Sequence, residues 1–202
     1  MPSLRAINRL LSTLVALLAL FILASPLLPL LTYQVGRWFD TTDGYRYQSN
    51  LATASGTGIG RLIPVPRDRN ILVIPQIGVD AEILEGSSAS VLNRGLWRRP
   101  RTGTPEKGGN TVITGHRFLY TNGPNTFYAL DKMRIGDRFL IFWNGEEYDY
   151  EVEDIRTVTP DRVEIERNTE DDIVTLYTCT PLWTSKNRLV VRAKRIVLPA
   201  AM

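Results

Sequence analysis

Two kinds of hydrophobic pattern divide this chain. From Leu10 to Gly36 no charged residue occurs, whereas from Ile71 onward apolar residues fall in short runs broken by Gly, Pro and Asn. These runs are "ILVIP", "VDAEILEG", "NTVITGH", "DRFLIFWNG", "EYDYEVEDI", "DIVTLYTC" and "RLVVRAKRI". Each has the length of a strand, and most are rich in β-branched or aromatic residues. In "EYDYEVEDI", Tyr148, Tyr150 and Val152 alternate with Glu147, Asp149, Glu151 and Glu153, the period of a strand with one buried face. Asn144-Gly145, between two runs, signals a hairpin. Only "NTFYALDKM" predicts a short helix, with Phe127, Leu130 and Met133 on one side. Seven or more short strands with little helix predict an all-β barrel or sandwich, and no internal repeat is visible.

The uncharged stretch is longer than the ~7–15 apolar residues of a signal-peptide core and is sufficient to cross a bilayer. Arg5 and Arg9 precede it, and on its far side Arg37 is offset by Asp40 and Asp43. The positive-inside rule then keeps the N-terminus cytoplasmic and the rest outside. Pro26 and Pro29 are expected to end or kink the helix. A cleaved signal at "LAS" is the rival, and it would leave Pro26 just after the cut; a retained anchor is the preferred expectation. Residues 37–70, rich in Tyr, Gly, Ser and Thr without a sustained apolar period, predict a tether. Three segments result: 1–36 as cytoplasmic end and anchor, 37–70 as lead-in, and 71–202 as the folded domain. Tyr45, Tyr47 and Trp38 could cover the domain as a plug, or Trp38 could sit at the bilayer interface.

Composition narrows the function. With 202 residues and 44% hydrophobic content, the chain holds one packed domain plus accessories. Lys+Arg 24 against Asp+Glu 21 gives +3, without the concentrated basic face of a nucleic-acid binder. The cluster Arg98, Arg99 and Arg101 and the acidic stretch "VEIERNTEDD" are both expected as solvated loops, the latter with calcium ligation as its rival.

A single cysteine outside the cell can form no internal disulfide, so burial, an intermolecular bridge or reactivity must account for it. Cys179 ends the run "DIVTLYT" and precedes Thr180-Pro181, where proline disfavours further pairing. That places it at a strand end, rigid and reachable. His116, the only histidine, stands in the same context after "NTVIT". Unperturbed pKa values make about 3% of a thiol thiolate and about a quarter of a histidine protonated at neutral pH, so a working pair needs coupling or a nearby cation. Arg188 heads the next strand, and antiparallel pairing would return it beside Cys179. A guanidinium there could donate to the oxyanion of a tetrahedral intermediate, although a surface-strand arginine is the plain alternative. The residues alone reach as far as a Cys-His-Arg acyl-transfer site on β edges.

"TLYTC" followed nine positions on by the Arg of "NRLVVRA", with "VITGHR" upstream, resembles sortase, the cysteine transpeptidase of Gram-positive-type cell surfaces. The resemblance runs from about Ile71 to Val197 and includes "LNRGLWRRPRTGTPEKGGNTVITGHR" and "LDKMRIGD". It implies a closed eight-stranded β-barrel with one or two short helices behind a single N-terminal transmembrane helix. It further implies Cys179 as nucleophile, His116 as acid/base and Arg188 as transition-state stabiliser, with Thr178 a substrate-binding candidate. The implied substrates are surface proteins bearing a Leu-Pro-any-Thr-Gly-like sorting signal. The implied acceptor is an amine of a peptidoglycan precursor or a pilin lysine, and neither cofactor nor metal is called for. The short loop from Cys179 to Arg188 looks like the classes containing pilin polymerases and actinobacterial-type housekeeping enzymes. An absent Asp-Pro-aromatic lid motif and an absent apolar segment after Val197 favour wall anchoring. Two rivals stand. The L,D-transpeptidases also join Cys, His and Arg, but in a Ser-His-Gly-Cys-Arg-like block not found here. A membrane-anchored β-barrel binding module, or a degenerate sortase that no longer cuts, would bury or idle the cysteine.

Overall fold

The structure, a computed structural model, describes residues 4–24, 69–118 and 126–196. The tether expected over 37–70 lies outside them, apart from Arg69 and Asn70, as do Pro26, Pro29, Trp38, Tyr45 and Tyr47. Helix α1 runs from Leu4–Ala24. Its stretch Leu4–Leu23 is long and apolar enough to cross a membrane by length and composition, with Arg5 and Arg9 its only charges.

The remaining residues form eight strands: β1 (Ile71–Ile74), β2 (Val79–Leu84), β3 (Leu96–Arg98), β4 (Asn110–Thr114), β5 (Arg138–Trp143), β6 (Glu146–Val158), β7 (Ile173–Thr180) and β8 (Asn187–Ile196). They close into a barrel in the order β1-β2-β3-β4-β7-β8-β6-β5. Two neighbouring pairs, β2 with β3 and β4 with β7, are parallel, and the others are antiparallel. Closure leaves no edge with unpaired backbone groups. Leu72, Ile74, Val112, Leu140, Leu176 and Val190 are fully buried and fill the core with branched side chains of similar size.

Local chemistry explains the shape. Asn144 and Gly145 have φ of 50° and 82°, the paired left-handed residues that make a two-residue hairpin follow the twist of its strands. The hairpin aligns Phe139 with Tyr150, whose rings stack at 5.6 Å. Tyr148, Tyr150 and Val152 are buried as the alternation predicts. The register then shifts between Val152 and Asp154, so an extra residue inverts the faces and the alternation stops there.

The short helix expected in "NTFYALDKM" is a single 3₁₀ turn at Leu130–Lys132. Phe127, Leu130 and Met133 are indeed buried, but their spacing of three residues is the period of a 3₁₀ helix rather than 3.6. Among the described residues three further 3₁₀ turns lie at Pro75–Ile77, Ala89–Asn93 and Val163–Glu166.

Candidate active site

Strands β7 and β8 are joined by a short loop, and their register pairs Cys179 directly with Arg188. Directly opposed residues of an antiparallel pair project from the same side, with Cα atoms about 4.5–5.5 Å apart. The two side chains therefore leave the strands on the same face, the residue pairing that an antiparallel return predicts. Cys179 is a free cysteine and half-buried. Arg188 uses one nitrogen, Nη1, to donate to the carbonyls of Ser185 at 3.0 Å and Asn187 at 3.1 Å. The loop thus fixes one corner of the guanidinium, and five donors in a rigid fork leave others to meet an anion.

His116 follows the end of β4 by two residues. That strand pairs in parallel with β7, ending at Thr114 opposite Tyr177. Two residues further on, the same register sets His116 level with Cys179. Three bonds carry the alignment beyond the strand. The Thr114 hydroxyl donates to the Tyr177 carbonyl at 3.1 Å, the Gly115 N–H to the same carbonyl at 3.4 Å, and the Thr178 hydroxyl to the Gly115 carbonyl at 2.8 Å. A Cβ at Gly115, between Thr114 and His116, would stand 2.6 Å from Leu96 Cδ2 and 3.1 Å from Phe127 Cδ2, so a larger residue there has to push these two buried side chains aside. The backbone carbonyl of His116 accepts from the Phe127 N–H at 2.8 Å. Thr178 itself is 1% exposed, so its side chain lies inside and its hydroxyl joins the two strands.

The segments expected as solvated loops are solvated in part, with Arg101, Val163, Glu164, Arg167, Asn168, Glu170 and Asp171 exposed, and are tied to the barrel through their other residues. Arg98 forms an ion pair with Glu85 and donates to the carbonyls of Thr102 and Gly103. Arg99 lies 4.3 Å above the Trp97 ring and pairs with Glu166 at 2.9 Å. Only Arg101 of the three is exposed. Adjacent backbone and ring partners, rather than solvent, take up the charge. In the acidic stretch, Ile165 is buried and Glu166 also accepts from the Tyr177 hydroxyl at 2.6 Å. Burial, and then the hydrogen bond to Glu166, push the Tyr177 phenol above its ordinary range, so it remains a neutral donor. Asn168 accepts from the Asn110 N–H and Asp172 from the Gly109 N–H. The buried Asn110 amide donates to the carbonyls of Ile165 and Arg167 and accepts from Thr175. This loop is clasped over β4 and β7. Among the described residues no cluster of three His, Cys, Asp or Glu could hold a metal ion.

Two features escaped the sequence reading. The rings of Phe118, after His116, and Trp183, after Cys179, meet edge to face at 4.2 Å. Trp183 is 58% exposed and has a φ of 70°, an uncommon conformation for a bulky residue. Arg117, by contrast, is largely withdrawn from solvent, its side chain 10% exposed, and ionically paired with Asp131 at 3.0 Å. Both were visible as letters inside "VITGHR" and "LDKMRIGD", but nothing in a one-dimensional pattern tells a buried arginine from a solvated one.

Comparison with known proteins agrees with this architecture. The sortase domain family model matches residues 72–196. Sortase A of Bacillus anthracis is 27% identical over 118 residues, covering 58% of this chain and 55% of that protein. Sortase SrtE1 of Streptomyces coelicolor is 32% identical over 142 residues, covering 62% of this chain and 40% of that protein. The chain therefore spans less than two thirds of the length of these curated relatives. Among solved structures, sortase C-1 from Actinomyces oris superposes with a TM-score of 0.59 at 33% identity, covering 64% of this chain and 73% of that one. Sortase A from Corynebacterium diphtheriae does so with a TM-score of 0.59 at 32% identity, covering 65% and 62%.

Proposed function

This chain belongs to the sortase family, and from that premise we propose that it is a membrane-anchored cysteine transpeptidase. It joins surface proteins bearing a Leu-Pro-any-Thr-Gly-like signal to an amine of the cell wall, or to a pilin lysine. The observation that carries this reading is the pairing of Cys179 with Arg188 across β7 and β8, with His116 level with the cysteine on the β4 side.

In the proposed reaction the Cys179 thiolate attacks the threonine carbonyl of the signal. The carbonyl oxygen gains the negative charge, and Arg188 donates to it from the nitrogens not bound to the loop carbonyls. Protonated His116 gives its proton to the departing glycine amine, the C–N bond breaks, and a thioester remains on Cys179. The acceptor amine adds to the thioester, neutral His116 takes its surplus proton, and thiolate leaves as the new amide forms. Thr178, expected to bind substrate, is buried and bonded to Gly115, so its role is instead to hold the approach of His116 to Cys179. Helix α1 serves as the anchor, with Arg5 and Arg9 on the cytoplasmic side and the barrel outside. Residues 37–70 tether one to the other.

Intact-mass spectrometry of the detergent-solubilised chain with a panel of signal peptides tests this, with Cys179→Ala in parallel. An increment equal to the acyl half of one peptide, absent in the variant, is the expected result. Folded protein giving neither adduct nor cleaved peptide would favour a binding module instead.

A further inference from the structure

We propose that Arg117 is a positioning residue that sets the spacing between the thiol of Cys179 and the imidazole of His116, an inference that rests on the proposed Cys-His couple. The backbone ladder between β4 and β7 ends with the Gly115–Tyr177 bond, before it reaches either reactive residue. Beyond it, among the described residues, the bonds that join the two segments come from side chains. On the near side the Thr178 hydroxyl donates to Gly115. On the far side Arg117 Nη1 donates to the Thr180 hydroxyl at 3.2 Å. Arg117 follows His116 and Thr180 follows Cys179, so the reactive pair is bracketed between these two ties.

The guanidinium is itself held. Nε donates to the Tyr128 carbonyl at 3.0 Å, Nη2 meets Asp131 at 3.0 Å, and the side chain is 10% exposed. The planar fork meets three separated partners from three different nitrogens, a span that the single nitrogen of an ammonium does not have. Its anchors at Tyr128 and Asp131 stand beside Phe127, whose N–H holds the His116 carbonyl. One side chain therefore fixes the histidine backbone, the residue after the cysteine, and the turn that supports both. A shift of reacting groups by about 1 Å can cost about 10²-fold in rate.

The test compares wild type with Arg117→Met, Arg117→Lys, Thr180→Val and His116→Ala. It measures kcat and KM on a cleaved signal peptide and the pH profile of Cys179 alkylation by iodoacetamide, with circular dichroism as the check of fold. Arg117→Met is expected to lower kcat by about 10–100-fold with KM nearly unchanged. It should also move the alkylation profile toward that of His116→Ala, with Arg117→Lys recovering part of both. Thr180→Val removes one bond and no charge, and should shift both readouts in the same direction by less. Folded Arg117→Met with wild-type kcat and profile overturns the proposal. Should that variant not fold, a wild-type kcat and profile in Thr180→Val overturns it. A His116→Ala profile equal to wild type would instead sink the Cys-His couple, and the positioning role with it.

Discussion

The Thr178 hydroxyl donates to the Gly115 carbonyl at 2.8 Å in a buried bond, and each of these residues immediately precedes a member of the proposed catalytic pair, Cys179 and His116. Thr178→Val keeps the shape but leaves the carbonyl without this donor. An unsatisfied buried acceptor costs about 1–3 kcal/mol. Denaturant unfolding of the variant should show a lower midpoint with an unchanged slope. Peptide cleavage should lose kcat rather than gain KM, and Thr178→Ser should recover both. A variant as stable and active as wild type would remove this bond from the alignment of the site.

Much of this arrangement was legible in the sequence because it depends on local chemistry. Cys179 before Thr180-Pro181 and His116 after "NTVIT" marked two strand ends, and the loop between Cys179 and Arg188 was short enough to imply direct antiparallel pairing. The parallel alignment of β4 with β7 was not legible, since their 58 intervening residues (from Thr114 at one strand's end to Ile173 at the other's start) contain two other strands and no periodic signal of partnership. Nor could charge alone reveal that Arg98, Arg99 and Arg117 lie within the wall. Guanidinium groups reach carbonyls and ring faces distant in sequence, so their burial is decided by the fold. The bulge after Val152 marks another limit, because one residue out of register leaves no mark on composition.

Arg188→Lys tests whether a single charge suffices. The ammonium can meet the Ser185 and Asn187 carbonyls or an oxyanion, but it lacks the fork that lets arginine do both. Losing an oxyanion donor typically costs about 10²–10³ in kcat. The half-buried strand position should tolerate the change, so thermal unfolding should remain close to wild type. Turnover equal to wild type would remove Arg188 from the mechanism.

Asn110 should prove far more important for stability than the charges beside its partners. Asn110→Ala withdraws the donors from the Ile165 and Arg167 carbonyls and the acceptor from the Thr175 hydroxyl. Two of these bonds, to Ile165 and from Thr175, are buried, and since each group left unpaired in the interior costs about 1–3 kcal/mol, a loss of at least about 2 kcal/mol is expected. Glu170→Ala, at an exposed position of the same loop, should stay within about 0.5 kcal/mol. Hydrogen exchange should show faster opening of Val163–Glu166 in the asparagine variant. Equal stabilities for the two variants would mean that the loop is not clasped through Asn110.

Asp149 predicts a pH dependence with a definite sign. It lies on β6 between Leu140 of β5 and Ile196 of β8. Burial, reinforced by the charge of Glu147 and opposed by Arg138, raises its carboxyl from 3.8 to about 6. Between those values the folded chain holds the proton more tightly than the unfolded chain does. The stability associated with that proton is fully present below the unfolded pKa and is lost as pH rises through the folded one. Asp149→Asn cannot ionise and escapes the loss. Thermal unfolding should therefore show the two proteins closest at the acid end of this window, with the variant gaining through it and the difference levelling off above neutrality. Glu147→Gln should narrow that difference by removing the second cause. A difference that is flat across the window would mean that Asp149 ionises as freely in the barrel as in the unfolded chain.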